Sequence, residues 1–283
     1  MSIFVYVLYH DEPSRNTADE LIQRAERREE EDALGGASRV RTIFVPLKLE
    51  PSPLLESVAF LLIDARRAEW ENADYVGLIT YSIDSKRAKM AGGSEQGDIR
   101  FGQLTTVAKD RGADVIGLFN VGFHKDHKHV SCLEGSVFQH GLHYFRAWSA
   151  LMGRMGYSDE ETRADVETFF SNWWLATPSC MRAYIAFFKK AVEIIWGDGA
   201  TSSLDIDRRA LLIHEDDVKL RDMFYENAHY KGSMSENQCR SHFGVPYYSV
   251  TPFVFERIPA LFFHRLGART LMYPPRLVMK LKE

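Results

Sequence analysis

Cysteine is scarce in this chain: three in 283 residues, Cys132, Cys180 and Cys239. They are far apart, odd in number and form no Cys-x-x-Cys pair, which argues against a disulfide framework or structural zinc and for a reducing compartment. An excess of one charge is missing too. Thirty-five basic against 39 acidic residues leave −4, so no global positive field calls for nucleic acid or an anionic membrane. No apolar run approaches the roughly 18–20 residues that span a bilayer. The apolar stretch 3–9 has no basic flank and no small-residue cleavage site, so it reads as a strand rather than a signal peptide. These absences lead to the expectation of a soluble protein of the cytoplasm (the host's, for a viral source), with peripheral membrane association left open. Several catalytic signatures are lacking as well: no Gly-x-Gly-x-x-Gly turn after the first strand, no Walker loop, no Gly-x-Ser-x-Gly elbow. A Ser/His/Asp triad is not local in sequence and stays open, but nothing favours it.

What is present is a globular composition, 45% hydrophobic and 26% charged. Buried-strand patterns are expected at 3–9, 40–47, 75–81 and 113–120, each a short apolar, β-branched or aromatic run. Between them stand helical signals. Thr17 and Glu20 form a capping-box pattern before Leu21, Ile22 and Ala25, with residues 24–32 as the solvated helix end. Ser52-Pro53 precedes Leu54, Val58, Leu62 and Ala65 at helical spacing. Residues 84–98 read as a loop and 99–111 as a helix. Beyond residue 120 the chain is mainly helical. Phe138, Leu142, Phe145, Ser149 and Met152 share a face, Ser158 and Glu161 form another capping box, and 173–176 is a short strand. Thr177-Pro178 opens a helix with Tyr184, Phe188, Ala191 and Ile195 on one side, and Thr251-Pro252 opens a last one ending near Gly267. The expected fold is α/β, a single domain over 1–283. Its first 120 residues would form a mostly parallel, Rossmann-like sheet and its remainder a helical C-terminal region. Ligands of such sheets bind beyond the carboxyl ends of the strands, at His10-Asp11, 48–50, 80–84 and 120–124.

Candidate chemistry follows from those exits. His124, Asp126, His127 and His129 are metal-capable donors, but Lys125 and Lys128 between them oppose a cation and suit a solvated or anion-facing loop. Asp205-x-Asp207 has the form of a carboxylate pair for a hard divalent ion, yet its place before Arg208-Arg209 reads as a helix start; Glu215-Asp216-Asp217 reads the same way. Asp84, just past a strand exit, is the better single carboxylate. Tyr9 and His10 suit stacking on, and hydrogen bonding to, a nucleotide base. Asn172-Trp173-Trp174 joins an amide to two indole faces, a combination that suits a sugar ring. On a strand, adjacent side chains take opposite faces, so one indole could face the ligand with the other in the core; the alternative is that both are core packing. Glu256 beside Arg257 is either a general base or a structural ion pair.

Three segments in order carry a family resemblance. Trp70-Glu-Asn72 with Tyr75-Val-Gly-Leu-Ile-Thr-Tyr81 resembles the W-x-N … Y-V-G-F-x-H-Y-R stretch of glycosyltransferase-like proteins of polysaccharide and capsule biosynthesis, found in bacteria and large DNA viruses. Phe169-Phe-Ser-Asn-Trp-Trp-Leu-Ala-Thr-Pro178 with Tyr184, and Pro252-Phe-Val-Phe-Glu-Arg-Ile258, are similar to two further segments of that group. The resemblance implies a GT-A-like, nucleotide-sugar-dependent glycosyltransferase, taking a UDP- or GDP-sugar and Mn²⁺ or Mg²⁺ and serving a glycan acceptor rather than nucleic acid. Asp84 (also as metal ligand) and Glu256 would be catalytic. Tyr9, His10, Asp11, Thr80, Tyr81, Ser82, Lys86 and Arg87 would hold the donor, and Asn172, Trp173 and Trp174 the acceptor. The family's His-Tyr-Arg is Thr80-Tyr81-Ser82 here, so Lys86 and Arg87 would have to supply the missing positive charge. That departure keeps a second expectation alive: a carbohydrate- or protein-binding domain that has lost transferase chemistry.

Overall fold

The computed structural model describes residues 2–34, 40–90, 99–118, 121–125, 128–130, 132–166, 169, 172–197, 200, 215–230, 232, 234–273 and 277–280. In chain order the elements are β1 (Ser2–Tyr9), α1 (Glu12–Leu34), β2 (Arg41–Lys48), a short 3-10 helix (Leu55–Val58), α2 (Ala59–Ala65), α3 (Arg67–Trp70), β3 (Tyr75–Thr80), α4 (Ile83–Met90), α5 (Phe101–Asp110), β4 (Val115–Gly117), β5 (Val121–Lys125), β6 (Lys128–Val130), α6 (Cys132–Arg154), α7 (Asp159–Thr162), β7 (Trp174–Ala176), α8 (Pro178–Trp196), α9 (Glu215–Phe224), α10 (Glu236–Phe243), α11 (Thr251–Leu266), β8 (Thr270–Met272) and β9 (Leu277–Lys280).

Six strands form the central sheet in the order β2-β1-β3-β7-β4-β8. β1 pairs in parallel with β2 and β3, and β4 with β8, while β7 runs antiparallel to both β3 and β4. All six residues of β3 are buried, as a strand covered on both faces requires, and this is why its sequence is continuously apolar rather than alternating. Helices cover each face. Tyr6, Leu8, Val76 and Leu78 point into one cluster with residues of α2, α6, α8 and α11. Val5, Val7, Tyr75 and Ile79 point into the other with residues of α1 and α5. β3 and β7 approach so closely that a Cβ at Gly77 would lie 2.1 Å from the Trp174 carbonyl oxygen. A three-stranded sheet, β6-β5-β9, stands beside the main one.

The architecture is thus α/β with a mixed, mostly parallel sheet, and the strands expected from the sequence at 3–9, 40–47, 75–81 and 173–176 are present. The helices opened by Pro178 and Pro252 are in place, and Ser158 and Glu161 form the reciprocal capping box.

Four local expectations are corrected. First, α1 starts at Glu12, not after Thr17. Ser14 Oγ accepts from the His10 and Asp11 amides, both at 2.9 Å, and Asp11 Oδ1 accepts from the Ser14 amide at 2.9 Å. This network satisfies N–H groups that would otherwise be orphaned, and Thr17 sits inside the helix with its hydroxyl donating to the Pro13 carbonyl. Second, the 24–32 stretch is not merely solvated: Asp32 is buried against Arg100 and Gln103, and Glu29 accepts from the Gly102 amide. Third, the expected loop from residue 84 is helical through Met90, as α4; residues 91–98 lie outside the described residues. Fourth, α6 breaks at Gly141 (φ 81°, ψ −178°), which resets its register. Phe138 and Leu142 are therefore exposed, while Met152 of the expected face is buried together with Ser136, His140, Tyr144, Ala147, Trp148 and Leu151. Strands β8 and β9 follow the helix that the sequence suggested was last among the major elements.

Candidate functional site at the carboxyl edge of the sheet

The carboxyl ends of β1 and β3 are neighbours, and both chains turn there into helices, at Glu12 and Ile83. β7 runs the other way, so its amino end delivers Asn172 and Trp173 to the same edge. Asn172 has a left-handed backbone (φ 58°), a conformation that Asn tolerates better than most non-glycine residues. Its amide Nδ2 donates to Ser57 Oγ at 2.9 Å, tying the 3-10 helix to the sheet edge. From the other side, the Ser52 amide donates to His242 Nδ1 on α10 at 3.4 Å.

His10 stands at the centre of this arrangement. Its ring lies edge-on to Tyr81 (centroids 6.4 Å apart, interplanar angle 84°) and to His242 (6.5 Å, 82°). Burial pushes the His242 imidazole below its usual pKa and the nearby His10 adds to the effect, so it is neutral near pH 7. Burial raises the Tyr81 phenol, with Asp11 and Glu56 adding to the shift. Tyr230 is raised for the same first reason and then by Tyr248, Glu256 and Glu56. These phenols therefore remain hydrogen-bond donors at neutral pH. Asp11 is held low by the Ser14 hydroxyl and amide. Tyr9 receives Arg15 Nη1 on its hydroxyl at 3.0 Å, with the guanidinium 5.1 Å from the ring centroid. Thr80 and Ser82 hydroxyls are 3.2 Å apart.

Of the residues singled out from sequence, Tyr9, His10, Asp11, Thr80, Tyr81 and Ser82 share this edge. Lys86 lies close by, its ammonium 5.3 Å from the centroid of the Trp173 ring, while the Arg87 side chain lies outside the described residues. Asp84 is drawn elsewhere: it forms an ion pair with Arg24 of α1 at 3.0 Å, both side chains about two-fifths exposed at 42% and 37%. It is already served by a cation. Among the described residues no three His, Cys, Asp or Glu gather in a metal-holding group. Glu256 is paired with the buried Arg257 at 2.7 Å, and Arg257 Nε donates to Ser136 Oγ at 3.2 Å. This is the structural ion pair that the sequence offered as one of two roles.

The acceptor triplet is corrected. Trp173 and Trp174 do point to opposite faces, as strand alternation demands, but both are 0% exposed and Asn172 is 2% exposed. Trp174 packs against Phe60, Tyr184 and Phe263 in one cluster, and Trp173 belongs to the other. A strand in the middle of a sheet with helices on both faces leaves neither indole a free surface. Asp126, His127, Asp205 and Asp207 lie outside the described residues; His124 and His129 are register partners on β5 and β6, with side chains outside them.

Compared with known protein families, curated proteins and solved structures, the chain matches none. Among the described residues no helix is long and apolar enough to cross a membrane.

Sequence reasoning passed over Glu56, Tyr230 and His242. For Glu56 a signal existed: it is the lone charge in the otherwise uncharged stretch 51–63, directly after a strand exit. His242 and Tyr230 reach the edge only through tertiary packing, and nothing in their local sequence marks them.

Proposed function

We propose that the chain is a glycosyltransferase that moves a sugar from a nucleotide-sugar to a glycan acceptor, with the donor seated over the carboxyl ends of β1 and β3. The observation that carries this reading is the meeting of Tyr9, His10, Tyr81 and Ser82 at one edge of a mostly parallel sheet, where ligands of such sheets bind; Thr80 beside them is 2% exposed. Tyr81 and His10 offer flat faces and hydrogen-bonding edges to a base or ribose. α4 begins directly after Ser82, so its first free amides stand at that edge with Lys86 one turn further on. Helix N-terminal amides and an ammonium both favour a diphosphate. A divalent ion does not fit the described residues, because Asp84 is held by Arg24 and no further donors gather beside it. Charge on the leaving diphosphate is therefore assigned to Lys86 and the α4 amides. The GT-A-like, Rossmann-type ancestry belongs to the same proposal and rests on the three sequence segments.

Thermal unfolding against UDP-, GDP- and dTDP-sugars, each with and without Mn²⁺, tests this directly. Binding to the native state alone stabilises by about 2.7 kcal/mol at 100-fold Kd. The expected outcome is a raised Tm with one nucleotide class, without need of Mn²⁺, together with slow release of nucleoside diphosphate. A response to free oligosaccharides and to no nucleotide would replace the transferase with a carbohydrate-binding domain.

A further inference from the structure

We infer that Glu56 is the catalytic base of this site, taking the proton from the acceptor hydroxyl as it attacks the donor sugar, and that Tyr230 and His242 line the acceptor pocket around it. The inference rests on the transferase reading above and adds the residue that performs its proton transfer.

Elimination on geometry leads to Glu56. Asp11, Glu50, Asp84 and Glu256 around this edge already have a partner, and Glu12, in the first turn of α1, is exposed rather than half-buried. Asp11 is bonded by Ser14, Glu50 is paired with Lys48 at 2.8 Å, Asp84 with Arg24 and Glu256 with Arg257. A carboxylate whose oxygens are already engaged by a cation or by donors is not free to meet an incoming hydroxyl. Glu56 is half-buried and, among the described residues, has no side-chain hydrogen bond or ion pair.

Its position is fixed from three sides. Asn172 Nδ2 holds the adjacent Ser57, the Ser52 amide meets His242 four residues earlier in the chain, and α11 packs against the 3-10 helix that carries Glu56. His242 is held beside this segment by the Ser52 amide, and Tyr230 packs on Phe253 of α11, the helix that covers the 3-10 turn. Both are neutral donors that can hold sugar hydroxyls without cancelling the carboxylate. Tyr230 is 46% exposed, its ring backed by Tyr248 at 5.2 Å and Phe253 at 5.0 Å. Here, rather than at the buried tryptophans, an aromatic face is open to a sugar ring. Asn172 is then a positioning residue, acting on Glu56 through Ser57.

The step balances as a single displacement. The acceptor hydroxyl oxygen forms a bond to the donor's anomeric carbon while its proton passes to a Glu56 carboxylate oxygen. The bond from that carbon to the diphosphate oxygen breaks, and its electron pair leaves with the nucleoside diphosphate. The anomeric configuration inverts.

The test uses the full chain with UDP-glucose, UDP-galactose and GDP-mannose as donors and methyl glucosides and methyl mannosides as acceptors. Donor affinity is followed by calorimetry, turnover by nucleoside diphosphate release and product anomer by NMR. Glu56→Gln should cut kcat at least 100-fold, the scale of general-base catalysis, with donor Kd within twofold and Tm unchanged. Formate should restore part of the lost rate to Glu56→Ala, which a purely structural role would not allow. Donor binding and turnover by the parent chain, with either an undiminished rate in Glu56→Gln or a product of retained configuration, would overturn the assignment of Glu56 and leave the transferase standing. A parent chain that neither binds nor consumes any of these donors would overturn both.

Discussion

At the scale of single residues, Trp173 and Trp174 show how far a local pattern can be trusted. Alternation along a strand correctly separates their directions, because successive side chains leave a pleated backbone on opposite faces. Whether a face is open to ligand depends instead on what the rest of the chain lays over it, and both indoles are covered. The two are therefore expected to behave alike on truncation. Trp173→Ala and Trp174→Ala should each cost about 3–5 kcal/mol in urea unfolding, the range for removing a buried large aromatic. Neither should alter acceptor KM in protein that remains folded. An intact Trp173→Ala variant with weakened acceptor use would return that ring to the binding surface. Glu56 and Tyr230 illustrate the converse. A solitary charge in an apolar stretch is visible in the sequence, but an exposed tyrosine gains meaning only when Phe253 and Tyr248 are folded behind it.

At the scale of elements, the strands were the most legible features. β1 and β3 are buried on both faces, so each reads as an unbroken apolar run, and that is a strong local signal. Helix α8 was equally plain, since Pro178 marks its start and Tyr184, Phe188, Ala191 and Ile195 line its buried side. Legibility failed where long-range geometry decided the outcome. The break at Gly141 turns Phe138 and Leu142 outward, and the Ser14–Asp11 network starts α1 six residues before the pattern suggested. The insertion of β7 between β3 and β4 is another case: three residues, Trp174–Ala176, carry no sign of direction. Their antiparallel fit is made possible by Gly77, where β3 and β7 come too close for a side chain. Gly77→Ala should cost about 3 kcal/mol, the upper end for overpacking a well-filled site, because backbone rather than a flexible side chain must move. Gly156→Ala supplies the comparison. That glycine has φ 78° but open space around it, so only the left-handed backbone is strained, for about 1 kcal/mol. Denaturation midpoints that rank Gly156→Ala as the worse variant would mean that the strands part more easily than their spacing implies.

At the scale of the whole molecule, the helical layer of α6, α8, α9 and α11 completes one core cluster, and α11 also packs on the 3-10 helix at the sheet edge, so the layer bears on both stability and the site. His140 lies in this layer, 2% exposed and stacked on Phe253 with ring centroids 3.9 Å apart. Its Nδ1 is among the buried atoms with no hydrogen-bond partner. Burial lowers its pKa to about 3, and the positive charge of Arg257 adds to the effect. The unfolded chain would bind a proton there near the ordinary value of 6.5 while the folded chain resists it. Stability from keeping this ring neutral is thus fully present above pH 6.5 and is lost as pH falls toward about 3, by up to about 1.4 kcal/mol per pH unit for each proton. His242 is lowered too and acts in the same direction. The paired carboxylates Asp64 and Asp74 are lowered, salt-bridge partners outweighing burial, so they release their contribution only below the ordinary carboxylate range. A window from pH 7 down to 4.5 therefore isolates the histidines from these pairs. His140→Phe keeps a flat ring on Phe253 while removing both the proton site and the unpartnered nitrogen. Urea unfolding at half-unit intervals across that window should give a shallower loss of stability for His140→Phe than for the parent, the residual slope being set by His242 and, acting the other way, by Glu29, whose carboxyl burial holds above its usual pKa. At pH 7 the variant should be at least as stable, since replacing an unsatisfied buried polar atom by carbon removes a desolvation cost. Parallel curves for the two proteins would show that His140 binds its proton equally well in the folded and unfolded chain, and the ring would have to be reassigned from core to surface.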